Sequence, residues 1–129
     1  MSHSIGLYVK IDGSQIQVEN CFPEIKNRKQ RDRFFSSISI TSNLRHIYLK
    51  ALKECTNQTD LGKFLNDKQA KDIVEQLEAM LEYIEDHRNK LKPLEPENGW
   101  GSYGGLCDSL ISLIKACHKY PNAYIDDWY

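Results

Sequence analysis

Few residues in this chain have the types and spacing that chemistry requires. Cys107 falls near the start of a predicted helix, where the dipole lowers the pKa of an exposed thiol. No histidine stands beside it in sequence, so a structural thiol is the preferred reading. Carboxylates abound, and the pairs to weigh are Glu95 with Glu97 and Asp126 with Asp127. The first pair falls in a loop, and the second in an extended segment whose neighbours point to opposite faces. Neither has the positioned geometry of an acid–base couple. His46 lies between Leu44 and Ile47 on a helix flank, as a surface or boundary residue. His3, His46, His87 and His118 show none of the short spacings of a tetrahedral zinc site. There is no Walker loop, dinucleotide glycine fingerprint, HExxH or GxSxG. The expectation is a protein without enzymatic activity, resident metal or cofactor.

One stretch organises the rest. Residues 95–106 combine four glycines, a proline and two aromatics between two helical patterns. Glycine opens backbone angles closed to other residues, and Pro93 and Pro96 end the preceding helix. Trp100 and Tyr103 are costly to leave in water, so the loop is expected to pack its rings against the domain. The run Gly99 to Gly105 precedes a helix and superficially resembles an anion-binding loop. It lacks the following Lys-Ser/Thr, and Trp100 and Tyr103 occupy places where a phosphate cradle needs open backbone.

Composition bounds the class. With 129 residues, 40% hydrophobic and 27% charged, the chain reads as one soluble domain, residues 1–129, with its own core. A formal charge of −1 offers no global field for nucleic acid or an anionic membrane. No apolar run is long enough to span a bilayer, and Met1 to Gly6 lack the regions of a signal peptide. The default location is therefore cytoplasmic. Four cysteines without a CxxC read as reduced thiols. Cys107 and Cys117 lie ten residues apart on one predicted helix, about 15 Å along its axis, too far to bridge.

The elements follow from periodicity. Ile5, Leu7, Val9 and Ile11 share a face, Asp12-Gly13 is a tight-turn signal, and Ile16 and Val18 alternate with polar residues: a hairpin. Lys26 to Arg33 form a basic run, read as a solvated loop or charged edge rather than a nucleic-acid arm. Phe34 to Thr41 alternate as a third strand. Thr41-Ser42-Asn43 can cap a helix carrying Leu44, Ile47, Tyr48, Ala51, Leu52 and Cys55 on one face. Leu61 to Leu65 suit a short helical turn that tucks in Phe64 and Leu65. Asn66 or Asp67 is expected to cap a long helix to about Leu91, with an apolar stripe from Ala70 to Ile84 and an acidic outer face. Leu106, Leu110, Leu113, Ile114 and Cys117 mark the last helix, and residues 124–127 a final strand. The order implies an α+β fold: a small, mainly antiparallel sheet packed on about three helices.

The segment Leu94-Glu-Pro-Glu-Asn-Gly-Trp-Gly-Ser-Tyr103 precedes an amphipathic helix, Ala116-Cys117, Pro121-Asn122-Ala123 and a short strand. Together they resemble a family of small, largely uncharacterised proteins of phages, prophages and bacterial genomes. Thr41-Ser42-Asn43-Leu44 is similar to that family's Thr-x-Asn-Leu helix start. The likeness covers residues 38–126; the basic insert at 26–33 and the Trp128-Tyr129 end depart from it. Phe34-Phe35-Ser-Ser-Ile-Ser also resembles immunity proteins of polymorphic toxin systems. Both resemblances imply small cytosolic proteins that work by binding, as toxin neutralisers or modulators of host machinery. The expected function is therefore a non-enzymatic immunity or inhibitor protein that occludes the active site of a protein partner. Glu97, Asn98, Gly99, Trp100, Tyr103, Trp128 and Tyr129 are the expected contacts, since Trp and Tyr concentrate binding energy at interfaces. Two alternatives remain: a nucleotide-type ligand held by Thr41, Asn43 and the Asn98–Tyr103 loop, and nucleic acid held by residues 26–33. A homodimer is also open.

Overall fold

Strand β1 (Ser2–Ile11) is paired by two strands along one edge and by a third, at Ser4–Tyr8, along the other. The computed structural model describes residues 2–19, 21–22, 37–99 and 101–128. Strand β2 (Ser14–Gln17) returns antiparallel through a turn at Asp12 and Gly13, whose φ values of 50° and 81° are the positive pair a two-residue turn needs. Strand β3 (Ser37–Thr41) pairs with Ser2–Gly6 of β1, and strand β4 (Tyr124–Trp128) with Ser4–Tyr8. Ser4, Ile5 and Gly6 pair with β3 and β4 together, and Tyr8 with β2 and β4 together. The register therefore puts β2 and β3 end to end on one edge of β1 and β4 alone on the other.

Strand alternation assigns the two faces. Ile5, Leu7, Ile38, Ile40 and Ile125 are buried together against the helices. Helix α1 (Arg45–Thr56) contributes Ile47, Ala51 and Leu52, and α2 (Leu61–Leu65) contributes Phe64 and Leu65. Helix α3 (Ala70–Asp86) contributes Ile73, Leu77, Met80 and Ile84, and a short α4 (Arg88–Leu91) adds Leu91. Helix α5 (Tyr103–Lys119) contributes Leu106, Leu110, Leu113 and Cys117. These are the spacings of three and four that build one apolar helix face. Each such side chain contributes about 1.5–3 kcal/mol when taken from water. The result is an α+β arrangement with three long helices and two short ones among the described residues. No described helix is long and apolar enough to cross a membrane.

Several expectations need correction. The long helix does not start after Asn66 or Asp67, and it does not run to Leu91. Residues 66–69 are drawn instead to the free edge of β4. Asp67 N–H donates to Ile125 O, Ile125 N–H donates to Lys68 O, and Asn66 Oδ1 accepts from Asp127 N–H. Asp67 adopts φ 62° to do so, and the helix begins at Ala70 without a side-chain cap. At the far end His87 breaks the helix: its Nδ1 lies 2.8 Å from Tyr83 O and its ring stacks on Tyr83 at 4.1 Å. Thr41 caps a 3-10 turn over Ser42–Leu44 rather than α1 itself. The hairpin tip outruns the helices, leaving Ile11 52% and Ile16 45% exposed on the face expected to be apolar and covered. The third strand is described only from Ser37; Phe34–Ser36 and the basic run at 26–33 lie outside the described residues.

Two glycines at the start of α5 separate strain from freedom. Gly101 has φ 120°, and a Cβ there would sit 2.7 Å from Thr41 Cγ2 and 3.1 Å from Leu44 Cγ. Gly104 is helical, with nothing within 4 Å of an added Cβ. Gly101→Ala is expected to destabilise the protein by about 2 kcal/mol or more, and Gly104→Ala to stabilise it by about 0.4–1 kcal/mol. Denaturant unfolding checks both; equal effects of the two substitutions would contradict the packing described.

Candidate functional site

The 95–102 loop is exposed at its tip and pinned at its base. Glu95 Oε2 accepts from Tyr103 N–H at 2.7 Å, and Ser102 Oγ accepts from Gly105 N–H at 2.9 Å as the N-cap of α5. Gly101 lies flat against Thr41 and Leu44, which fastens the loop to the start of the α1 region. Glu97, Asn98 and Gly99 stand exposed, with Gly99 at φ 77° turning the chain.

Tyr103 does not belong to a contact surface. It is 5% exposed, its hydroxyl donates to Ile84 O at 2.6 Å, and Arg88 lies 5.5 Å over its ring. A ring at the first position of α5 points back under the loop, so it bolts α5 to α3. Trp100 and Tyr129 lie outside the described residues. Asn43 is exposed, and its N–H donates to Thr41 Oγ1 at 3.3 Å.

Trp128 is 45% exposed. It shares a cross-strand row with Ser4 and Ser39, on the sheet face away from the helices. Thr41 falls on that same face by alternation, two strand spacings across and two residues along from Trp128, about 12 Å away. Thr41 in turn touches the loop. Thr41 thus links the open sheet face to the base of the loop that bears the Glu97–Gly99 tip. A cavity of about 250 Å³ lies between β3 and the loop, lined by Thr41, Gly101, Ser102 and Ser109 among others; Asn43 is not in its wall.

The same open face carries its own electrostatics. Tyr8 stacks on Tyr124 at 5.5 Å and donates to Asp67 Oδ1 at 2.7 Å; burial, then Asp67, pushes its pKa up to about 12. Lys10 lies 4.5 Å over the Tyr124 ring. Asp126 is pushed above its usual value by burial, then by the charges of Asp67 and Asp127.

A second arrangement escaped the sequence reading. On the core face His3 Nδ1 lies 2.9 and 3.1 Å from the two carboxylate oxygens of Asp127, whose side chain is wholly buried. An ionised carboxylate only accepts, so Nδ1 carries the proton and donates. Burial raises the pKa of Asp127 most and Asp60 adds to it, while His3 pulls it back down. Tyr48 meets the His3 ring edge-on at 6.0 Å. A signal was available: His3 falls in the apolar row of Ile5 and Leu7, and Asp127 in that of Ile125. A polar residue in the core row of each of two strands asks for a partner. The missing piece was that β1 and β4 are neighbours.

Neither Cys107 nor Cys117 is activated. Burial pushes Cys107 up, with the Tyr103 hydroxyl opposing it, and Cys117 is raised to about 12 by burial and the nearby Cys21. None of the four cysteines is in a disulfide. Among the described residues no group of three metal-ligating side chains gathers.

No protein-family profile, curated protein or solved structure matches this chain.

The raised pKa of Asp126 makes a signed prediction. A carboxyl raised above 3.8 in the folded state contributes stability below that pH and loses it as pH rises through the raised value. Asp126→Asn escapes that loss. Its melting temperature is expected to exceed the parent's at pH 7, with the gain shrinking as pH falls toward 3.8. A gain that grows on acidification would contradict the placement of Asp126 among like charges.

Proposed function

We propose that this is a non-enzymatic cytoplasmic binding protein of the immunity or inhibitor type, which neutralises a toxin or other effector by covering its active site. One observation carries the reading: an exposed tryptophan and an exposed Glu97–Gly99 tip each stand on a braced support. Trp128 is held in a paired strand, and the tip by Glu95, Gly101 and the buried Tyr103. Rigid support limits the entropy lost on docking, and half-exposed Trp is the residue type that most often dominates an interface. An acidic tip suits a partner whose active site is basic, as in enzymes acting on nucleic acid. The resemblance of 94–103 to phage and prophage proteins, and of 34–39 to immunity proteins, points the same way.

A nucleotide-type ligand between Thr41 and the loop has less support. The cavity there, about 250 Å³, falls below the usual range of about 300–1,000 Å³ for small-ligand sites. The basic run that would serve nucleic acid lies outside the described residues.

The tagged protein, co-expressed with the genes flanking its own, is expected to retain one partner at fixed stoichiometry. Trp128→Ala and a Glu97→Ala/Asn98→Ala pair are each expected to weaken that complex about tenfold or more, about 1.4 kcal/mol. Recovery of no stoichiometric partner, or a complex indifferent to both variants, would sink the proposal.

A further inference from the structure

A cavity of about 520 Å³ opens between the start of α1, the α1–α2 connection and α2. None of its lining residues belongs to the partner surface described above. Its floor includes His3, held in orientation by the buried Asp127. One wall is apolar, from Tyr48, Leu49 and Leu61. The rim carries Arg45 and Lys63, both exposed, and among the described residues neither cationic head group has an ion-pair partner. The lining has a single carboxylate, Asp60, and its Oδ1 caps α2 by accepting from Lys63 N–H at 3.2 Å.

We propose that this cavity binds a small phosphate monoester of nucleotide size. Its dianionic phosphate lies between Arg45 and Lys63, and its apolar portion rests on Tyr48 and Leu61. Two features select that chemistry. Two unpaired cations match two negative charges, where a carboxylate would satisfy only one, and the planar guanidinium fork fits phosphate oxygens. The volume lies in the range of small-molecule sites, far more than a lone phosphate fills, and the apolar wall calls for an organic body. A metal cation is the poorer fit, because a hard cation needs several oxygen ligands and the lining offers one carboxylate. Gly62 shapes the inner end: a Cβ there would lie 3.3 Å from Asp60 Oδ1 and 3.6 Å from Asp127 Oδ2.

The test is a titration of the isotope-labelled full chain with AMP, inorganic phosphate and adenosine, following the amide resonances of Gly62 and Lys63. AMP is expected to shift both amides saturably, inorganic phosphate to shift them more weakly, and adenosine not to saturate. Arg45→Ala and Lys63→Ala are each expected to weaken AMP about tenfold. Both side chains are exposed, so circular dichroism should leave the fold unchanged in the two variants. Three results would overturn the proposal: no saturation by AMP up to about 10 mM, equal binding of adenosine and AMP, or AMP affinity untouched by both substitutions. Partner capture by the same two variants should stay intact, so failure here and failure of the inhibitor reading are separable.

Discussion

The ladder between β1 and β4 is the interaction on which the rest of this structure depends. It joins residues more than a hundred positions apart, so its loop-closure entropy must be repaid by contacts that form only once the helices are in place. When it forms, Ile5, Leu7 and Ile125 complete the apolar face that α1, α3 and α5 cover. His3 meets Asp127 across it, and the burial of that carboxylate is tolerable because the imidazole N–H is there to bond it. Residues 66–69 then bond the far edge of β4, which leaves that edge no longer open to another chain.

Local signals were legible where local physics decides. Asp12-Gly13 announced the hairpin because few other residue pairs accept two successive positive φ angles. The stripe from Ala70 to Ile84 announced its helix because seven apolar residues fell on one face. Alternation of Ile38 and Ile40 with Ser39, and of Ile125 with Asp126, placed two more strands. What could not be read was set by tertiary neighbours. Asn66 and Asp67 look like helix caps in isolation, yet β4 claims the Asn66 side chain and the Asp67 backbone, and Tyr8 of β1 claims the Asp67 side chain. Ile11 and Ile16 alternate as core residues should, but the helix layer stops short of them.

The candidate site divides in the same way. The loop's shape was evident from its glycines, and its exposed tip and braced base follow. Tyr103 packs against the domain as the loop's aromatic content suggested, but not as a contact residue: its position at the start of α5 turns the ring under the loop toward Ile84, a direction that loop composition does not encode. The cavity beside His3 was invisible for a different reason. Its parts come from β1, α1, the α1–α2 connection and α2, and the residue that orients His3 lies at the opposite end of the chain. Among the described residues, polar groups in apolar rows were the one trace it left in the sequence.

Both the partner surface and the cavity presuppose a rigid β1–β4 pairing, which presents Trp128 on one face and seats His3 on the other. Native-state amide hydrogen exchange tests that most directly. Ile125 and Asp127 turn their amides to residues 66–68, so by alternation Asp126 turns its amide to Gly6 of β1. The amides of Gly6 and Asp126 should exchange only through global unfolding, with an opening free energy equal to that from denaturant titration. Exchange at Asp126 through a local opening far below the global value would mean that β4 detaches on its own, and the account of a fixed surface would fail.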